Sequence, residues 1–280
     1  MTDQVPDTGF IRSKDGTQLH YATLPNKDAK ATLLFVHGYG EHSGRYAHVM
    51  SWFHDRGYDV AAFDYRGHGK SEGVRGHVTR YREYMDDLDA FISSNMGRLP
   101  QDRKVYLVGH SNGGLVTASY ILEQPEGIDG AVLSSPMLGF AVKINPLKSL
   151  LGKAMSTLYP TLALPSEIPL DHLSTDKSVG EAYGVDPLVH KVATARWYTE
   201  ALAQQAVVLR NADRIQVPIL LMQAGSDKVV DAEVSQNFLA AVGSADKELR
   251  WYDGLYHEIF NETIKEEVFS DLDAWLKKHL

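Results

Sequence analysis

Residues 105–114 read Val105-Tyr106-Leu107-Val108-Gly109-His110-Ser111-Asn112-Gly113-Gly114. A short apolar run enters Gly-x-Ser-x-Gly directly, and a helical pattern from Leu115 to Glu123 leaves it without a break. The bare five-residue pattern is common by chance; the flanking run and helix give it meaning. A serine projected from a very sharp strand-to-helix turn needs glycine on either side, where side chains would clash with the turn. The following helix points its positive end at the serine and favours negative charge developing there. Ser111 is therefore a candidate nucleophile, and the backbone N–H of Asn112 a candidate donor to an oxyanion.

Working outward, similar apolar runs lie at Thr32 to Val36, Val60 to Phe63, Ala131 to Leu133 and Ile219 to Met222. Such runs suit strands covered on both faces. Helical patterns alternate with them at Arg45 to Arg56, Tyr81 to Asn95, Glu233 to Val242 and Thr263 to Lys278. The alternation predicts an α/β fold with a mostly parallel central sheet flanked by helices. An N-terminal hairpin is expected where Phe10 to Arg12 and Gln18 to Thr23 flank Lys14-Asp15-Gly16. The rhythm breaks between residues 137 and 205, which hold several prolines and no convincing buried strand. The division expected is a core of 1–136 and 206–280 carrying 137–205 as an inserted helical cap. In that block Ile144, Leu147, Leu150, Leu151, Ala154, Met155, Leu158 and Leu162 recur at helical spacing. Packing or channel lining is favoured for this stripe over contact with lipid surfaces.

A serine nucleophile on such a sheet takes its partners in the chain order Ser, Asp or Glu, His. Asp227 lies just past the run ending at Met222, where a carboxylate reaches the crevice; nearby Asp231 reads as the N-cap of the next helix. Only His257 and His279 follow Asp227. His279 belongs to a charged helix end, so His257, in a loop after Glu248 to Tyr252, is the candidate base. The second oxyanion donor is expected from the loop His37-Gly38-Tyr39-Gly40, as the N–H of Tyr39.

The 280 residues carry a net charge of −8 and no cysteine. This excludes a cysteine nucleophile, a thiolate metal site and a disulfide framework. An acidic chain is a poor nucleic-acid binder. The histidines lack metal-ligand spacing, so neither a metal nor another cofactor is expected. The start lacks signal-peptide features and no apolar run is long enough to span a bilayer, so a cytoplasmic protein, at most peripheral to membranes, is expected. Oligomeric state is not legible.

Further stretches carry a resemblance. His37-Gly38-Tyr39-Gly40-Glu41-His42-Ser43-Gly44-Arg45-Tyr46, the run Asp64 to Gly73 (DYRGHGKSEG), Gly109 to Gly114 and Tyr256-His257 resemble HGxGEHSGRY, DxxGHGxSEG, GHSMGG and YH. These belong to monoacylglycerol lipases and related lysophospholipase-like serine hydrolases of the α/β-hydrolase fold. The resemblance implies a helical cap and hydrolysis of a single-chain acyl ester, with Arg45, His110 and Tyr183 at the polar head. Two positions depart from it. Asn112 stands where methionine is usual and is expected to make the pocket wall more polar. Tyr39 replaces a small residue, and its ring is expected to narrow the acyl pocket. A short-chain carboxylesterase therefore stays open, as do a thioesterase, an amidase or peptidase, and a catalytically silent ligand-binding protein on the same fold.

Overall fold

The computed structural model describes residues 5–97, 99–100, 102–141, 146–166 and 168–280. In chain order the elements are β1 (Asp7–Arg12), β2 (Gln18–Leu24), β3 (Ala31–Val36), α1 (Ala47–His54), β4 (Asp59–Phe63), α2 (Arg82–Met96), β5 (Lys104–His110), α3 (Asn112–Glu123) and β6 (Gly130–Ser134). Then follow α4 (Pro146–Leu158), β7 (Ala163–Pro165), α5 (Lys177–Val185), β8 (Val192–Thr194), α6 (Ala195–Arg210), β9 (Ile219–Ala224), α7 (Ala232–Ala241), β10 (Lys247–Tyr252) and α8 (Lys265–Lys278).

Eight strands form one sheet in the order β1-β2-β4-β3-β5-β6-β9-β10. From β4 to β10 all neighbours are parallel, while β2 runs antiparallel to β1 and β4. The period of two along each strand sorts side chains to opposite faces. Leu34 and Val36 join Leu107, Leu133 and Leu221 under α2, α3 and α7, whereas Leu33 and Phe35 join Val108, Val132 and Leu220 under α1 and α8. This two-sided cover explains why β3, β4, β6 and β9 are buried at every residue. β10 is an edge strand, and its Lys247, Glu248 and Arg250 keep that edge charged.

The strand order reverses at β3. The chain passes from β3 to β4 on one side, then returns across β3 to β5 on the other. Loops leaving the carboxyl ends of β3 and β5 therefore flank a crevice, the usual place for a ligand in open α/β sheets. The β4–α2 loop is fixed beside it by Arg66. Its Nε and Nη2 donate to Asp87 at 2.9 and 2.6 Å, and its Nη1 donates to Asp15 of the N-terminal hairpin at 2.6 Å.

Three details differ from expectation. The segment Arg45 to Arg56 is not one helix: a 3₁₀ turn over Ser43–Tyr46 precedes a shorter α1. Residues 137–205 contain a two-stranded antiparallel sheet of β7 and β8, whose three-residue strands are too short to show a period. α6 runs on to Arg210, so the expected boundary at 205 falls inside a helix. The apolar stripe also divides. Ile144 lies outside the described residues, and so do the side chains of Leu147, Leu150 and Leu151. Ala154 and Leu162 are exposed, as are Leu158 (69%) and neighbouring Tyr159 (66%), so packing against the core does not account for this end of the stripe.

Asp87 is fully buried with Arg66 as its ionic partner. Arg66→Ala is expected to strand that carboxylate and destabilise the fold by about 3–5 kcal/mol, the usual effect of breaking a buried pair. Urea denaturation checks this, and a change below about 1 kcal/mol, typical of an exposed pair, would contradict it.

Candidate active site

β5 ends at His110 and α3 begins at Asn112, leaving Ser111 alone to turn the chain. Its φ is 52°, in the left-handed region that non-glycine residues avoid. The turn needs its glycines for lack of space. A Cβ on Gly109 would lie 2.4 Å from the Gly113 carbonyl oxygen, and one on Gly113 would lie 2.1 Å from that of Val36. The turn at Ser111 thus presses directly on the end of β3.

Ser111, Asp227 and His257 meet above the carboxyl ends of β5, β9 and β10. His257 Nε2 lies 2.9 Å from Ser111 Oγ, and His257 Nδ1 lies 2.8 Å from Asp227 Oδ2. With Nδ1–H donating to the carboxylate, Nε2 is left to accept the serine proton. The other carboxylate oxygen accepts the N–H groups of Val229 and Val230 at 2.8 and 3.0 Å. Burial disfavours the charged form of His257, but Asp227 and the nearby Glu258 and Glu41 outweigh it and raise its pKa above the usual 6.5. Burial likewise opposes the Asp227 charge, and the imidazole with the two backbone donors overcomes it and lowers the carboxyl. Asp231 caps α7 by accepting from the Glu233 and Val234 N–H groups. His279 pairs with Asp246 at the far end of the chain.

The loop after β3 abuts this group. A Cβ on Gly38 would sit 3.3 Å from Ser111 Cβ. The Gly38 N–H is bound by Glu41 Oε1 at 2.5 Å, while the N–H groups of Tyr39 and Asn112 have no hydrogen-bond partner among the described residues. The Asn112 side chain departs from expectation. It is fully buried away from the pocket wall, with Oδ1 accepting from the Tyr81 hydroxyl at 2.9 Å and Nδ2 donating to the Tyr65 oxygen at 3.0 Å. It therefore does not make that wall more polar. Tyr39 is a lining residue of the pocket, and its ring is stacked on Trp197 at 3.7 Å with its hydroxyl between the Val192 and Gly76 carbonyls.

The pocket encloses about 390 Å³ and contains Ser111 and His257 in its wall. Met137, Phe140, Trp197, Tyr198 and Val229 are among its apolar lining residues; Glu41, His110, Tyr183 and Glu258 are among its polar ones. Of the three residues expected at a polar head, His110 and Tyr183 line the pocket and Arg45 does not. The Arg45 guanidinium is clamped by Glu41 at 2.6 Å and by both oxygens of Glu258 at 2.8 and 2.7 Å, with the Tyr183 ring over it. Burial, the largest single influence, would raise Glu41, but Arg45, His110, His37 and the Gly38 N–H together outweigh it and bring it down to about 2. Burial and the neighbouring His257 push His110 down to about 4. Glu41 and Glu258 were not singled out from sequence, although Glu41 stands four residues before Arg45 and Glu258 directly follows His257. Among the described residues no group of three or more His, Asp or Glu is arranged to hold a metal ion, and no helix is long and apolar enough to cross a membrane.

Residues 27–264 match the family described as "Serine aminopeptidase, S33". A phospholipase of Bacillus subtilis, YtpA, is 34% identical, over 89% of this chain and 96% of its own. A monoacylglycerol lipase of Mycolicibacterium smegmatis is 31% identical over 91% of each. Among solved structures, the Paleococcus ferrophilus monoacylglycerol lipase superposes with a TM-score of 0.86 at 32% identity, covering 94% of this chain and 99% of that one. Since these alignments run almost the full length of both partners, the chain belongs to this serine hydrolase family, of α/β-hydrolase fold, alongside monoacylglycerol lipases.

Proposed function

We propose that the protein hydrolyses a single-chain lipid ester such as a monoacylglycerol through an acyl-enzyme. The observation that carries this is the pocket at Ser111, whose lining is mostly apolar with a few polar side chains. A long apolar chain fits against Phe140, Trp197, Tyr198 and Val229, and a hydroxylated head fits against His110, Tyr183, Glu41 and Glu258. In this reading Ser111 attacks the ester carbonyl while His257 takes its proton, and Asp227 orients the imidazole and stabilises its cation. The Tyr39 and Asn112 N–H groups receive the oxyanion. His257 then protonates the leaving alcohol and activates the water that releases the fatty acid. The 137–205 block acts as the cap, since Met137, Phe140, Ile168, Leu173 and Tyr183 come from it. An aminopeptidase would need an unengaged anion for the substrate ammonium, whereas both wall carboxylates are bound by Arg45. The Tyr39–Trp197 stack in the wall favours a second reading, a shorter-chain esterase.

The exposed Leu158, Tyr159 and Leu162 support contact of the cap with a lipid surface. Leu158→Asp with Leu162→Asp is expected to lower turnover of emulsified monoacylglycerol and to spare a water-soluble short-chain ester. Equal loss on both would remove this contact from the account.

A series of p-nitrophenyl esters from acetate to palmitate decides between the lipid and short-chain readings. Turnover rising to medium or long chains is expected, and a maximum at acetate would favour the short-chain esterase. Ser111→Ala should abolish turnover and fluorophosphonate labelling. A wild-type protein inert to both, and to amino-acid p-nitroanilides, would instead be a silent binder.

The raised pKa of His257 fixes a sign. The base must be neutral to accept a proton, so kcat/KM should fall as pH drops, with a midpoint above about 6.5, the ordinary histidine value. Asp227→Asn removes the charge that raises it, so the midpoint should move to lower pH as kcat falls by about 10⁴. A midpoint indifferent to Asp227→Asn would refute the pairing.

A further inference from the structure

The peptide joining Gly38 to Tyr39 is trans, so its carbonyl and N–H point in opposite directions. Whatever holds the Gly38 oxygen therefore aims the Tyr39 N–H. That oxygen accepts from the Tyr65 hydroxyl at 2.7 Å and from His37 Nδ1 at 2.7 Å. The Tyr65 oxygen accepts from Asn112 Nδ2, and Asn112 Oδ1 accepts from the Tyr81 hydroxyl. Tyr65 and Asn112 are fully buried and Tyr81 is nearly so. The result is a buried chain of three hydrogen bonds, donated in one direction, in which each polarises the next.

We propose that Asn112 and Tyr65 are positioning residues of the oxyanion hole: the Asn112 carboxamide, acting through the Tyr65 hydroxyl on the Gly38 carbonyl, sets the direction of the Tyr39 N–H. This rests on the assignment of the Tyr39 and Asn112 amides as the oxyanion donors. One residue then serves the hole twice, by its own N–H and by its side chain's grip on the opposite donor. Neither side chain lines the pocket, so neither is needed to bind the ester in its ground state. Their effect belongs to the tetrahedral state, where the carbonyl oxygen becomes charged.

The test compares Tyr65→Phe, Asn112→Leu and the double variant on p-nitrophenyl butyrate, with kcat referred to the fraction titrated by a fluorophosphonate. Complete loss of an oxyanion donor typically lowers the rate about 10²–10³-fold, so misaiming one is expected to lower kcat roughly tenfold in Tyr65→Phe and less in Asn112→Leu. KM should stay within about twofold, because interactions made only in the transition state leave it alone. Affinity for a phenylboronic acid, whose adduct carries the tetrahedral oxygen, should fall in step with kcat. The double variant should be no slower than Tyr65→Phe, since both changes cut one path. A merely structural role would lower the titrated fraction or the melting temperature and leave these quantities in place. Should Asn112→Leu not fold, Asn112→Met substitutes for it. Unchanged kcat and boronate affinity in both single variants, with Ser111→Ala inactive, overturns the brace alone. Turnover that survives Ser111→Ala overturns the serine assignment and the brace with it.

Discussion

Ser111 is held at a φ of 52°, and the upper side of the sheet is organised around keeping it there. A non-glycine residue in this region costs about 1–3 kcal/mol and persists only where its surroundings over-determine it. Here the Ser111 N–H donates to the Ser134 carbonyl at 3.0 Å, and its own carbonyl accepts from Leu115 and Met137 at 3.1 and 2.9 Å. The adjoining α3 together with sequence-distant β6 and the segment after it thus grip a single residue. The missing side chains of Gly109 and Gly113 let α3 start against the end of β3. One steric constraint therefore sets both the exposure of the hydroxyl and its nearness to the His37–Gly40 loop.

The charged groups follow the same logic of placement. Buried ion pairs rarely add much net stability, because desolvation offsets the attraction. The Glu41–Arg45–Glu258 cluster is better understood by what it fixes. Glu41 holds the Gly38 N–H and so fixes the loop that follows β3. Glu258 follows His257 in sequence and is clamped at both oxygens, so the loop carrying His257 is tied to the turn before α1. Arg45 balances half of the negative charge that the two carboxylates bring beside the imidazole, and the remainder helps to raise the His257 pKa.

Much of the architecture was legible because its signals are local. Five apolar runs, the Asp-Gly hairpin and the Gly-x-Ser-x-Gly turn each declare themselves within ten residues. Chain order then reduces the twelve histidines to two. Other features depend on partners distant in sequence. β7 and β8 exist only as a pair of three-residue strands. α6 continues past 205 because Gln205 and Val208 are buried. Arg45 looked like a ligand for the substrate head because the sequence does not show that Glu258, 213 residues away, already holds it. Asn112 looked like a wall residue because its tyrosine partners are invisible in the motif itself.

The two departures from the family pattern, Asn112 and Tyr39, are not equivalent in kind. A buried carboxamide is tolerable only if its donor and acceptor are satisfied, so Asn112 requires the Tyr65 and Tyr81 hydroxyls and binds α2, the β4–α2 loop and α3 into one polar unit. Tyr39 works outward instead. Its backbone belongs to the loop beside Ser111, while its ring lies on Trp197 of α6 and its hydroxyl reaches Val192 of β8. Gly76 has a φ of +66°, and a Cβ there would lie 2.3 Å from the Val192 oxygen, so the contact leaves no slack. The pocket wall at Trp197 and the loop beside Ser111 are therefore joined through one side chain.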